Sequence, residues 1–372
     1  MTSFAPQQVR SFFILSNCAK ALKMIFLRSM LRKIQKKIIR AIPYSIKKDL
    51  FRYHLYTDNA ILYHNPIPYC DTKIFAKWMS LTRQISVLFN MVGRKIARME
   101  LDYVAKKFSK NEAISRNAAF NNKHKGERCF IIANGPSLKK QDLKLIKDEF
   151  TIATNTIWKH QEIGLWNPTY YCTAHVETFY ADRNFGEGFE NATKEEGAIY
   201  FKKIRDILNK SIYFIPYAGY EGNKDGKFLP KEKTFYTLNS SSYLFEAPNE
   251  FPDLTRCLPG IQDSSQYAIQ LALAMGFSQI ILLGCDHDWY VNRGEEKHFF
   301  EGPAITKDGK VDSSKFAVLP SMWFAWSLWR GHFILKEIAE KRGVEIINAT
   351  GGGVLDAYKL GNYEEIVKNK KK

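Results

Sequence analysis

The sequence lacks any paired C-x-x-C spacing, although cysteines occur at Cys18, Cys70, Cys129, Cys172, Cys257 and Cys285. That absence, with no cleavable secretion signal ahead of them, argues against a disulfide framework and leads us to expect free thiols in a reducing compartment. Also missing is an uncharged apolar run near the roughly 18 to 20 residues that span a bilayer, because Lys20, Lys23 and Arg28 interrupt the best candidate, Ser11 to Met30. A spanning helix is therefore not expected. No internal repeat at a fixed period is found, and low complexity is confined to the Lys-rich tail Lys368 to Lys372. Repeat architectures fall away with it.

Acidic residues are scarce: 38 Asp and Glu stand against 55 Lys and Arg, for a formal net charge of +17. The imbalance is concentrated in residues 1 to 52, where about a dozen Lys and Arg face the single acid Asp49. From Ala21 to Arg40, Leu27, Leu31, Ile34 and Ile38 recur at helical spacing, while Arg28, Arg32, Lys33, Lys36, Lys37 and Arg40 fill much of the remaining surface. This pattern predicts a basic amphipathic helix. Such a helix either lies in the headgroup layer of an anionic membrane, or packs its stripe on the rest of the protein and solvates its basic face. No recognisable nucleic-acid module accompanies the charge, so nucleic acid is not an expected partner.

What the chain does have is apolar material, 45% hydrophobic and 14% aromatic over 372 residues, enough for one sizeable core. Residues 53–126 read as a helical and linking region, with helical stretches at Ile74 to Phe89 and Val92 to Phe108 and a polar linker from Ser109 to Glu127. Beyond it, short β-rich runs alternate with helical ones: Cys129 to Ala133, Thr151 to Thr154, Thr169 to Thr173, Ile212 to Ile215, Gln279 to Leu283 and Val344 to Asn348. Alternation of that kind predicts an α/β domain over 127–372, Rossmann-like, with a mostly parallel sheet and helices on both faces, preceded by the basic helical segment.

The first core strand runs straight into Asn134-Gly135-Pro136-Ser137, followed by a helical run from about Gln141. At the carboxyl end of a parallel strand, a tight turn before a helix offers free N–H groups and a helix dipole to a phosphate. Gly135 lets backbone approach a ligand, Pro136 stiffens the turn, and Ser137 offers a hydroxyl or a helix cap. Asn134 can contact ribose, phosphate or base, and Asn155 reaches the same edge from the next strand. Turn chemistry alone would also account for these residues. The third strand leads into His175 and Glu177, more simply read as a structural pair.

A second constellation spans Gly260 to Tyr290. Asp263, Ser264 and Ser265 precede an apolar helical run, and the strand Gln279 to Leu283 ends in Gly284-Cys285-Asp286-His287-Asp288. His298 and His332 lie downstream, so that three imidazoles are positioned to converge on one cleft as general bases. Asp286, His287 and Asp288 could also ligate a divalent metal, but adjacent side chains rarely converge on one ion and the other ligands are not evident.

The runs FIIANGPSL, from Phe130 to Leu138, and GIQDSSQYAIQLALAMGFSQIILLGCDHDWY, from Gly260 to Tyr290, resemble the bacterial sialyltransferases of lipooligosaccharide synthesis. They resemble equally the relatives of those enzymes, the motility accessory factors and the hydroxymethylpterin diphosphokinase-like proteins. The resemblance covers roughly Glu127 to Asp356 and departs from the family at Ala133, where glycine is common, at the added His287, and in the long basic N-terminal segment. It implies nucleotide contact by Asn134, Gly135, Ser137 and Asn155, donor contact by the Ser264 and Ser265 pair, a strand-end acid at Asp286, and a general base at His332, with His298 as the alternative. The implied activity is an inverting, sialyltransferase-like transfer of a sugar from a nucleotide-sugar donor, with a CMP-sugar foremost, to lipopolysaccharide, capsule or a related surface glycan. It would take place at the inner face of the cytoplasmic membrane and need no obligate cofactor. Two other readings stand beside it. One is a diphosphokinase that takes ATP and Mg2+, anchored by Asp286 to Asp288; the other is a non-catalytic nucleotide-binding scaffold.

Overall fold

The computed structural model describes residues 98–174, 194–243, 251–260, 262–288 and 318–369. The chain divides into two units, Met1–Thr82 and Arg83–Lys372, and all the described residues belong to the second. The expected basic helix at Ala21 to Arg40, and the helical stretch at Ile74 to Phe89, lie outside them. Among the described residues no helix is long and apolar enough to cross a membrane.

Among the described residues nine parallel strands form one sheet in the order β6-β5-β4-β3-β2-β1-β7-β8-β9. They are β1 (Arg128–Ile132), β2 (Phe150–Thr154), β3 (Tyr170–Cys172), β4 (Ile212–Pro216), β5 (Thr234–Tyr243), β6 (Cys257–Gly260), β7 (Gln279–Leu283), β8 (Glu345–Asn348) and β9 (Lys359–Leu360). Helices cover both faces. α1 (Lys194–Ile207) and α4 (Tyr363–Lys368) pack on one side, while α2 (Ser264–Ala274) and α3 (Val318–Glu340) pack on the other. The central strands show why an all-apolar run is needed when both faces are covered. In β1, Cys129 and Ile131 join the core beneath α2, whereas Phe130 and Ile132 join the core beneath α1; in β7, Ile280 and Leu282 divide from Ile281 and Leu283 in the same way.

Several elements differ from expectation. The helix expected from Gln141 is replaced by two short 3-10 turns, Pro136–Lys140 and Leu143–Ile146, because Gln141 has extended backbone between them and Asp142 caps the second turn by accepting from the Lys144 amide at 3.0 Å. Residues 109–127, expected as a linker, are packed structure. Asn117 is fully buried there and its amide donates to the carbonyls of Tyr236 at 2.7 Å and Leu254 at 2.9 Å. The four described cysteines, Cys129, Cys172, Cys257 and Cys285, are buried free thiols, as expected.

Leu282→Ala should remove about 2 to 5 kcal/mol of stability, since it opens a cavity between β7 and α2. Leu360→Ala, on a side chain 73% exposed at the sheet edge, should stay within about 0.5 kcal/mol. Urea unfolding of both variants gives the comparison, and similar losses would contradict this placement of the core.

Candidate functional site

The sheet order fixes where a site can form. β1 leads away through the 3-10 turns on the α1 side, whereas β7, its hydrogen-bonded neighbour, leads into the α3 side. The loops after these two strands therefore part company at their carboxyl ends. That divergence marks a topological switch point, the usual ligand position in such sheets.

The β1 loop does not present the free amides expected of a phosphate cradle. Ala133 donates its amide to Leu283 O at 2.9 Å and Gly135 donates to Gly284 O at 2.8 Å, which prolongs the β1–β7 pairing into the loops. Ser137 donates its hydroxyl to Asp286 Oδ2 at 2.8 Å and its amide to Asp286 Oδ1 at 3.3 Å. The anion held by this turn is thus the protein's own carboxylate. The amides of Gly135 and Ser137, expected to face a phosphate, are thus engaged within the protein, and a short 3-10 turn follows in place of the expected α-helix. Burial raises the Asp286 pKa above the ordinary carboxylate value, and the Ser137 hydrogen bond works against that rise.

The lost amides have a counterpart at the start of α2. α2 is a true α-helix capped by Asp263, whose carboxylate accepts from the Gln266 amide at 2.8 Å. Its first N–H groups, at Ser264 and Ser265, have no partner within the helix and lie at its positive end. Ser264 Oγ donates to Asn155 Oδ1 at 2.8 Å, and Thr173 Oγ1 donates to the same oxygen at 3.2 Å, so the ends of β2 and β3 are tied to the start of α2. Asn155 has a left-handed backbone with φ +45°, which aims its side chain at this junction. Asn134 is buried beside it; its amide donates to Thr154 O at 3.1 Å and its Oδ1 accepts from Thr156 Oγ1 at 3.4 Å.

Four side chains gather on the other side of Ser264. Ser265 Oγ donates to Asp263 Oδ2 at 2.8 Å and stands 3.5 Å from both His287 Nε2 and His332 Nε2. His287 Nε2 lies 3.3 Å from Asp263 Oδ2. His287, at φ +52°, follows the Asp286 latch, so the backbone that fixes the latch also swings the imidazole into the cluster. His332 is completely buried, and burial pushes its pKa down to about 3, with Asp263 opposing that shift and His287 adding to it. The ring is neutral at physiological pH. The Tyr358 hydroxyl donates to His332 O at 3.1 Å and lies 3.0 Å from His332 Nδ1. A hydroxyl that spends its proton on a carbonyl accepts from Nδ1–H, which leaves Nε2 with a lone pair facing Asp263.

Of the expected residues, Asn155, Ser264, Ser265, His287 and His332 are therefore brought together at the start of α2, Asn134 is hydrogen-bonded to Thr154 and Thr156 on either side of Asn155, and Ser137 and Asp286 are hydrogen-bonded to each other against Gly135. Pro136 opens the 3-10 turn at its first position. His175, Glu177 and His298 lie outside the described residues. Asp263 and Tyr358 belong to the constellation although sequence reasoning did not select them; Asp263 carried the signal of a helix cap, and Tyr358 carried none. Comparisons with models of known protein families and with curated proteins find no match.

A Cβ at Gly135 would lie 1.7 Å from Asp286 Oδ2 and 2.6 Å from the Gly284 carbonyl oxygen, so even a methyl group competes with the latch. Gly135→Ala should destabilise by about 2 to 3 kcal/mol, the scale of severe overpacking. Gly164→Ala, with nothing within 4 Å of the added carbon, serves as the neutral comparison in thermal and urea melts. Equal stability of the two would refute the latch.

Proposed function

We propose that this protein is a nucleotide-sugar-dependent glycosyltransferase acting on a bacterial surface glycan, with a CMP-sugar foremost among donors. The observation that carries the proposal is the junction at the start of α2. There Ser264 joins the Asn155 contact, and the next residue, Ser265, joins Asp263, His287 and His332. A nucleotide-facing edge and a proton-accepting cluster are thus one residue apart, which suits transfer of a group from a nucleotide to a hydroxyl.

In this scheme the donor base and ribose lie toward Asn134 and Asn155, and the phosphate lies at the N-terminus of α2, where unpaired N–H groups and the helix dipole stabilise the charge it gains on departure. The acceptor hydroxyl gives up its proton at His287 and Asp263, the partly exposed members of the cluster, with the wholly buried His332 behind them, as the anomeric centre becomes oxocarbenium-like. Asp286, turned to Ser137, acts as a positioning residue that sets the β1 loop and His287. Its engagement there also weighs against its serving as the Mg2+ anchor of an ATP-dependent diphosphokinase. The basic segment of residues 1–52, with its many Lys and Arg, would keep the enzyme beside a membrane-bound acceptor at the inner face of the membrane.

A thermal-shift panel of CMP-, UDP- and GDP-sugars against ATP, repeated with chelator, tests the donor class. A CMP-sugar should raise the melting temperature most, whereas a preference for ATP abolished by chelation would overturn the transferase proposal in favour of the kinase. His287→Ala should lower turnover by about 10²-fold or more, the usual weight of acid–base catalysis, and leave nucleotide affinity within about threefold. Undiminished turnover in that variant would remove the cluster from the chemistry.

A further inference from the structure

One carboxylate oxygen of Asp263 and one ring nitrogen each of His287 and His332 lie within 4.8 Å of one another. We propose that these three side chains bind a divalent transition-metal ion, with Zn2+ the best match, and that Ser265 Oγ marks the fourth corner of the site. The claim concerns binding alone, and an ion held here would take up the lone pairs that the transferase proposal uses as proton acceptors, so the two stand apart.

The edges of the cluster carry the argument. A tetrahedral Zn2+ with ordinary bonds to N and O has ligand-to-ligand edges of about 3.3 to 3.6 Å. Asp263 Oδ2 to His287 Nε2 is 3.3 Å, and Ser265 Oγ to each of the two Nε2 atoms is 3.5 Å; Ser265 Oγ to Asp263 Oδ2 is 2.8 Å. Three of these edges match a tetrahedral site, the 2.8 Å edge is a hydrogen bond, and the donor atoms of Asp263, His287 and His332 all lie within 4.8 Å of one another, so small side-chain shifts would bring them onto one ion.

Hydrogen bonding within the cluster leaves His332 poorly served. The Ser265 hydroxyl has one proton, and its short contact with Asp263 Oδ2 takes it, so at 3.5 Å the His332 Nε2 lone pair receives no strong donor. A lone pair without a donor inside a wholly buried ring is costly. A cation at the centre of the cluster answers that lone pair and the charge of Asp263, and His287 Nε2, which faces the same carboxylate, would give up its proton to join them. The Tyr358 hydroxyl behind His332 fixes the Nδ1–H tautomer, the outer-shell arrangement that metal-binding histidines use. Two imidazoles and one carboxylate suit Zn2+ over Mg2+ or Ca2+, which take oxygen ligands. With side chains 12% and 21% exposed, His287 and Asp263 give an ion a way in from solvent.

The full-length protein, stripped by chelator, would be titrated with Co2+ and then with Zn2+. One Co2+ per chain should bind with the intense visible bands of a tetrahedral site, and Zn2+ should displace it. His287→Ala and Asp263→Asn, each checked for fold by circular dichroism, should weaken Co2+ binding at least 100-fold, while His160→Ala should bind as the wild type does. X-ray absorption of the zinc-loaded wild type gives a readout independent of the variants: two imidazoles and an oxygen are expected, and a sulfur shell would overturn the assignment. Failure of the wild type to bind either ion more tightly than about 10 μM, or unchanged binding by folded His287→Ala, would also overturn it. Metal binding without sugar transfer would sustain this site and defeat the transferase; sugar transfer without metal binding would do the reverse.

Discussion

The buried contact between Asp286 and Ser137 is the constraint on which the site depends. β1 and β7 are neighbours in the sheet, and the backbone pairing that continues as far as Gly135 and Gly284 leaves the side chains beyond it to hold the loops together. The carboxylate supplies the tie from β7 and the Ser137 amide and hydroxyl receive it from β1. Gly135 makes room for it, and the Val354 amide, donating to Asp286 O at 2.8 Å, adds the loop after β8 to the same anchor. Burying a carboxylate costs free energy unless hydrogen bonds offset it, and both oxygens of Asp286 are used. Burial raises its pKa and the Ser137 hydrogen bonds oppose that rise. A burial cost of this kind is what a strand-end tie carries when its value lies in geometry, namely the left-handed turn at His287 that follows at once.

Much of the sheet was legible because of its own burial. β1, β2, β4, β7 and β8 are compact apolar runs, since each is covered on both faces, and β7 was read to the residue. β5 and β6 were missed for the same physical reason turned round. TFYTLNSSSY alternates apolar with small polar residues and ends in serines, and CLPG contains a proline and a glycine, so neither shows the continuous run that β1 and β7 do. β9 is two exposed residues beside β8 and offers no pattern at all. The helix expected after Asn134 failed because a strand followed by a turn is so often followed by a helix, whereas Gln141 is extended and Asp142 starts a separate turn.

The site was legible in its residue types and illegible in its distances. Polar groups at strand ends stood out against the apolar runs that precede them, which is how Asn134, Asn155, Ser264, Ser265, Asp286 and His287 came to be chosen. What sequence could not supply was the pairing. Asp286 and His287 are adjacent in the chain yet turn to different partners, one to Ser137 and the other to Asp263, and only the backbone angle at His287 separates those destinies. Asp263 was read only as one of the polar residues that start a helix, because a helix cap and a carboxylate in a side-chain cluster look identical in sequence; it accepts from Gln266 with Oδ1 and faces His287 with Oδ2.

The convergence of His332 on this carboxylate follows from how closely α2 and α3 pack. A Cβ on Gly331 would meet Gln266 Nε2 at 2.4 Å, so a side chain of α2 occupies the space that any other residue at position 331 would fill. Gln266 uses that proximity to donate to Leu328 O at 2.9 Å, fastening the two helices one turn from the cap of α2. His332, the next residue on α3, is thereby carried to Ser265, the residue before Gln266 on α2. Two neighbouring positions on each helix thus do separate work, Gly331 and Gln266 setting the distance and His332 and Ser265 using it. The strand-end latch fixes His287 from one side and the helix contact fixes His332 from the other. The carboxylate between them needs no mobile element to complete the cluster, because each of the three side chains is set by a constraint that lies outside the cluster itself.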